Sequence, residues 1–277
     1  MAVVADPAAP LAASGDRVAH PHRWRRAVSV LVAGCVVVAG LLTWRSLQGS
    51  APGAPPASMG NAVDLALPAT VLDAPLVDQQ GRPRPLSSFR GHILVLVPFL
   101  TSCQEECPIT TGAFLVLARD VRAAGLQGKV EFAEASVDPA RDVPSRLSAY
   151  EARTGAHWPI LTGTPSTMAA LWKHFGVYVQ QVPEANPPGD DWQTGAPYTY
   201  DVDHSDGFIL IGPDQHERFV TVAPVDLRGH ALDRPLASML DSTGVTNLSA
   251  PTSGSWTIAQ ALQAIGWLAG RTIPQAR

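Results

Sequence analysis

The residues best suited to chemistry in this chain are two of its three cysteines. They lie in the string Cys103-Gln104-Glu105-Glu106-Cys107-Pro108, directly after an apolar run and directly before a helical pattern. Residues at i and i+4 on a helical turn point to the same side. Pro108 suits a first helical turn, where its missing N–H has no partner to lose. The helix N-terminus favours negative charge, so one or both thiols are expected to be acidified towards thiolate. Two such thiolates are soft donors suited to Cu(I), and equally a dithiol that can close to a disulfide. A static disulfide is the plainer reading of the same spacing. His204, in Asp201-Val202-Asp203-His204-Ser205, precedes a buried strand pattern, where its imidazole can face out of the sheet. Added to the two thiolates, it makes a three-donor site that accommodates either copper oxidation state. By itself His204 reads as a solvated turn residue, and no other histidine has a spacing that links it to the cysteines. In Ser136–Pro144, Asp142 reads as a cap for the helix that follows. Thr110 and Thr111 read as caps or surface.

The elements that must position these residues alternate along the chain. His92–Leu100 is a continuous apolar run, as expected of a strand buried on both faces. Pro108–Ala124 has helical periodicity and ends at Gly125. Lys129–Val137 reads as a strand, Pro144–Thr154 as a helix, Ile160-Leu161 as a short strand and Ser166–Phe175 as a helix. Gln180–Asp201 is polar and rich in Pro and Gly, a loop; its Trp192, Tyr198 and Tyr200 make it the candidate contact surface if the domain is a binding module, with an ordinary surface loop the favoured reading. Gly207–Ile211 and Glu217–Val222 form a hairpin around Gly212-Pro213-Asp214-Gln215. Trp256–Leu268 has helical spacing. This order predicts an α/β domain with a mixed sheet and helices on both faces.

Composition narrows the function classes. The 277 residues are 46% hydrophobic and only 16% charged, which excludes a disordered polyelectrolyte. Twenty Lys+Arg against 24 Asp+Glu give a net charge of −4, without the basic footprint of a nucleic-acid binder. Three cysteines cannot make a disulfide framework. Residues 27–44 are uncharged between Arg26 and Arg45, and span about 27 Å as a helix, close to a hydrocarbon core of about 30 Å. Arg17, Arg23, Arg25 and Arg26 precede them and only Arg45 closely follows, which predicts a cytoplasmic N-terminus. The expected organisation is a tail at 1–26, a transmembrane anchor at 27–44, a flexible Pro/Gly/Ser/Ala linker at 45–63 and a domain at 64–277. The protein is then a single-pass cell-membrane protein with its domain on the extracytoplasmic side. Lipidation at Cys35 after the Val32-Ala33-Gly34 string, cleavage near the Ala/Pro-rich stretch, or a buried core helix are the competing readings of this segment.

Together, several strings resemble the Sco/SenC family of copper-binding cytochrome oxidase assembly proteins. They are C-Q-E-E-C-P at 103–108, V-D-P-A-R-D-V-P at 137–144, L-T-G-T-P at 161–165, F-G-V-Y at 175–178 and V-D-H-S at 202–205. They occur in the family's order over about residues 70–225. The resemblance implies a thioredoxin-like fold behind one N-terminal membrane segment. It implies one copper ion, Cu(I) or Cu(II), held by Cys103, Cys107 and His204, with Asp203 and Asp138 as nearby supporting groups. The implied role is copper delivery, or upkeep of reduced cysteines, for the dinuclear copper centre of cytochrome c oxidase subunit II or another copper protein. That is a metallochaperone rather than a turnover enzyme. The alternative is an extracytoplasmic thiol–disulfide oxidoreductase using Cys103 and Cys107, although such enzymes usually place two residues between the cysteines, not three. A peroxidase variant using Thr101 beside Cys103 fits less well. The sequence departs from the family in Phe99-Leu100-Thr101-Ser102, where F-G-Y-T is usual, and in Gln104 and Glu105, where proline and aspartate are common. The last 50 or so residues match nothing in the family pattern.

Overall fold

The structure, a computed structural model, describes residues 53–276. The expected tail, anchor and Cys35 lie outside them. Among the described residues, no helix is long and apolar enough to cross a membrane.

Strand β2 (Ile93–Phe99) is buried at every position, as its unbroken apolar sequence requires. It pairs in parallel with β3 (Val130–Ser136), which pairs in parallel with β4 (Ile160–Leu161). On its other side β2 pairs antiparallel with β7 (Phe208–Ile211), which forms a hairpin with β8 (His216–Thr221). β1 (Asn61–Ala66) closes the edge antiparallel to β8, giving a six-stranded sheet in the order β1-β8-β7-β2-β3-β4. This edge strand begins inside the stretch expected to be linker, and Met59 before it is also buried. Its own faces are largely exposed, so its sequence carries no period-2 signal; backbone pairing to an open edge recruits it.

Helix α1 (Ala69–Leu72) leads into the sheet. α2 (Cys107–Ala123) crosses from β2 to β3, and α3 (Pro144–Thr154) and α4 (Pro165–His174) follow. The parallel β2-α2-β3 unit joined to an antiparallel hairpin is the frame of a thioredoxin-like fold. The segment expected to be one long loop instead carries β5 (Val179–Val182), which pairs antiparallel with β6 (Asp201–His204). His204 therefore ends a strand rather than sitting in a free turn. Between β6 and β7, Gly207 has φ +95°, and an added Cβ would overlap the Thr221 carbonyl oxygen. Only glycine allows the chain to turn this tightly from His204 into the central sheet.

The C-terminal region runs through β9 (Val225–Asp226), α5 (Arg234–Ala237), α6 (Ser242–Ser249) and β10 (Trp256–Thr257) into α7 (Ile258–Ala269). A Thr257–Gln260 capping box starts α7, which packs against α2 and β2. Gly112 inside α2 costs helix stability, about 1 kcal/mol relative to alanine. It lets the Leu232 side chain lie against the helix, where a Cβ would overlap it.

Candidate metal centre

The carboxyl end of a central strand in an open α/β sheet is where ligands bind, and both cysteines lie beyond that end of β2. Cys107 is the first residue of α2 and is buried among core side chains. Cys103 is not on the helix, as the i, i+4 pattern suggested, but in the bend before it. The sulfurs still converge, because Cys103 Sγ accepts the Cys107 backbone N–H at 3.3 Å and so occupies the place of a capping acceptor.

His204 comes from a separate two-stranded sheet, at the end of β6. Its Nε2 stands 3.6 Å from Cys107 Sγ, and its Nδ1 is 2.9 Å from the Ser205 carbonyl oxygen. A carbonyl only accepts, so Nδ1 carries the proton and Nε2 presents its lone pair to the sulfurs. This is the backbone bond that fixes the tautomer of a ligating imidazole. Two donors at about 2.3 Å (sulfur) and about 2.0 Å (nitrogen) from one ion, 120° apart, would be about 3.7 Å from each other. The Cys107–His204 edge has that length. Among the described residues no three His, Cys, Asp or Glu side chains stand as a finished metal cage. Cys103, on its bend, is the third donor, its sulfur beside both the Cys107 amide and the His204 ring.

The electrostatics separate the two thiols. The hydrogen bond from Cys107 holds the Cys103 thiol well below its ordinary range, against the cost of burial and with help from His204. Burial, then the adjacent Cys103 sulfur, push the Cys107 thiol well up. Burial pulls His204 down, but the Cys103 sulfur outweighs it and the ring's pKa is raised. A cavity of about 170 Å³ has Cys103 and His204 in its wall, with Glu105, Glu106, Asp201, Asp203 and Asp206 around them. Burial and then neighbouring negative charge raise Glu105 and Glu106 to about 7, and burial raises Asp206 to about 6.

Asp203 is thus at the site as expected. Asp138 is not: it binds the Arg141 guanidinium and the Tyr200 hydroxyl. Asp142 caps no helix; α3 starts after Val143 without a side-chain cap. It is buried at the ends of β2 and β3, accepting from Thr101 N–H (3.2 Å), the Thr101 hydroxyl (2.6 Å) and the Ser136 hydroxyl (2.6 Å). Thr101 is committed to this network and to Arg146, not to Cys103. Thr111 is no surface cap either: one turn beyond Cys107, its buried hydroxyl donates to Glu134 at 2.6 Å and meets the Tyr150 hydroxyl at 2.9 Å. The aromatic residues of the long loop face inward. Arg146 pairs with Asp191 at 2.7 Å and lies over Trp192, while Arg141 stacks on Tyr200 and binds its carbonyl. The candidate contact surface is therefore a strapped loop, with Trp192 and Tyr200 packed under Arg146 and Arg141. Sequence reasoning missed Glu105, Glu106, Asp201 and Asp206 as cavity walls and Glu134 as an interior acid. The clustering of acids around both motifs was the available signal for the first four.

Fold and site together define a class: a thioredoxin-like domain with two cysteines at the head of its first crossover helix, faced by a histidine from the hairpin half. The SCO1/SenC family model matches residues 70–240, and the chain belongs to that family. It is 30% identical over 167 residues to a Stutzerimonas stutzeri protein named "Putative copper-binding protein", covering 60% of this chain and 75% of that one. It is 28% identical over 142 residues to the mouse mitochondrial SCO2 homolog, covering 51% of this chain and 52% of the relative, so it spans only about half of that protein's length. Among solved structures, Bradyrhizobium japonicum ScoI with copper bound aligns at 24% identity and a TM-score of 0.44, covering 65% of this chain and 97% of ScoI.

Proposed function

We propose that this protein is a membrane-anchored copper metallochaperone that carries one copper ion on Cys103, Cys107 and His204. Its cargo passes by ligand exchange to the dinuclear copper centre of cytochrome c oxidase subunit II or to another copper protein. The observation that carries this reading is the 3.6 Å approach of His204 Nε2 to Cys107 Sγ, with the imidazole tautomer fixed by Ser205. Two soft sulfurs and one imidazole suit copper in either oxidation state, and the acidic wall favours a cation over an anion in the cavity. The copper-binding names of the relatives support the same cargo. The anchor at 27–44, with the domain outside the cytoplasm, is part of the proposal and rests on the sequence.

Copper loading of the purified chain tests it. Wild type should hold about one copper per chain, and Cys103→Ser, Cys107→Ser or His204→Ala should each lose most of it, because affinity depends on gathered, deprotonated ligands. Retention of a full copper by Cys103→Ser or His204→Ala would refute the assignment. Reduction of insulin with turnover, by a chain that binds no copper, would favour a thiol–disulfide oxidoreductase.

A further inference from the structure

The family match ends at residue 240, and just beyond it Asp241 and Gly244 touch the bend that carries Cys103. The Asp241 backbone N–H donates to the Gln104 carbonyl at 3.0 Å. Gly244, in the first turn of α6, faces the same bend so closely that an added Cβ would overlap the Gln104 carbonyl oxygen and crowd Glu105 Cα. The Asp241 carboxylate accepts the Gly244 N–H at 2.7 Å, which fixes the two contact points relative to each other. From the other side the Gln104 side chain rests on Gly189, again where a Cβ would overlap it. The segment before Asp241 is itself held: Met239 and Leu236 are core residues. The cysteine bend is thus gripped at its backbone by chain from outside the family domain, and this bend carries Cys103, the donor beside Cys107 and His204.

We propose that Asp241–Gly244 is a positioning clasp for the cysteine bend: it sets where the Cys103 sulfur stands relative to Cys107 and His204. Neither residue reaches the cavity; both act through Gln104. The proposal rests on the copper-site reading for its consequence, but the clasp can be read without metal.

Gly244→Ala is the test, with Gly128→Ala, whose Cβ would meet nothing, as control. Two properties are measured on the purified chain. One is copper retention against a competing chelator. The other is the metal-free equilibrium of the Cys103–Cys107 pair with oxidised dithiothreitol, in which the two thiols give up two electrons and two protons to the reagent. Displacing the bend should weaken copper retention about ten-fold or more, as supporting-residue changes at metal sites do, and shift the disulfide equilibrium several-fold. Gly128→Ala should change neither. Should Gly244→Ala fail to fold, amide exchange in wild type takes its place. The Asp241 amide should exchange at different rates in the dithiol and disulfide forms, since coupling between two sites is reciprocal. Equal disulfide equilibria in wild type and Gly244→Ala, or an Asp241 amide indifferent to the state of the cysteines, would overturn the clasp. A wild type that binds no copper yet shows the disulfide shift would sink the copper reading and leave the clasp standing.

Discussion

Replacing Glu134 with glutamine should make the protein more stable at neutral and alkaline pH. Glu134 is fully buried in β3, with one carboxylate oxygen taking the Thr111 hydroxyl and the other without a hydrogen-bond partner. Burial, reinforced by the charge of Asp142, raises its pKa from 4.5 to about 7. The folded chain therefore keeps a proton that the unfolded chain has lost. Stability is fully present below about pH 4.5 and declines as pH rises to about 7, by about 3 kcal/mol for a shift of this size. Glutamine keeps an acceptor for Thr111 and has nothing to ionise. Leaving its amide N–H groups without partners costs about 1 kcal/mol, so Glu134→Gln should be about 2 kcal/mol more stable than wild type at pH 8. At pH 4 it should match wild type or fall slightly below. Urea unfolding of the metal-free, reduced chain at half-unit steps from pH 4 to 8 reads this directly. Asp142, raised to about 6 by burial, leaves a residual slope in the same window. Parallel wild-type and variant curves between pH 4.5 and 7 would show that Glu134 ionises freely in the fold and refute the reasoning.

Two further outcomes follow from single contacts. Gly207→Ala forces a side chain into φ +95° and against the Thr221 carbonyl, which should cost about 2–4 kcal/mol and lower the urea midpoint. Because the same turn aims His204, copper retention should fall with it; an unchanged midpoint would contradict the overlap. Arg146→Ala removes the partner of Asp191 and the cover of Trp192, so limited proteolysis should cut within residues 183–200 faster than in wild type. Unchanged cleavage would mean that Arg141 and its tyrosines hold the loop by themselves.

The central elements were legible because their sequences are locally consistent. Ile93–Phe99 has no polar position to misplace, and Pro144 and Gly155 bracket α3 with a start and a stop. The convergence of Cys103, Cys107 and His204 came from motif order rather than from periodicity, since the cysteines follow a central strand and the histidine ends a strand of a separate two-stranded sheet. What stayed hidden depends on long-range contact. β1 has exposed faces and owes its existence to the β8 edge. β5 looked like loop because Gln180 and Gln181 are polar, yet its backbone pairs with the strand that carries His204. Asp142 and Thr111 have cap-like neighbours in sequence, and only packing reveals them as buried nodes. The aromatic residues of the long loop advertise a surface in sequence, while Arg141 and Arg146, about 50 residues away, turn them inward.

The unequal depth of the two sulfurs gives the site a front and a back. Cys107 is 4% exposed at the head of its helix, whereas Cys103 lies half-buried on the bend in front of it. In the oxidised form, an incoming thiolate can reach only the Cys103 sulfur of the Cys103–Cys107 disulfide, so attack there would form the mixed disulfide and expel Cys107 as the thiolate behind it. A partner docking on the proposed site would likewise meet Cys103 and His204, which line the cavity, before the buried Cys107.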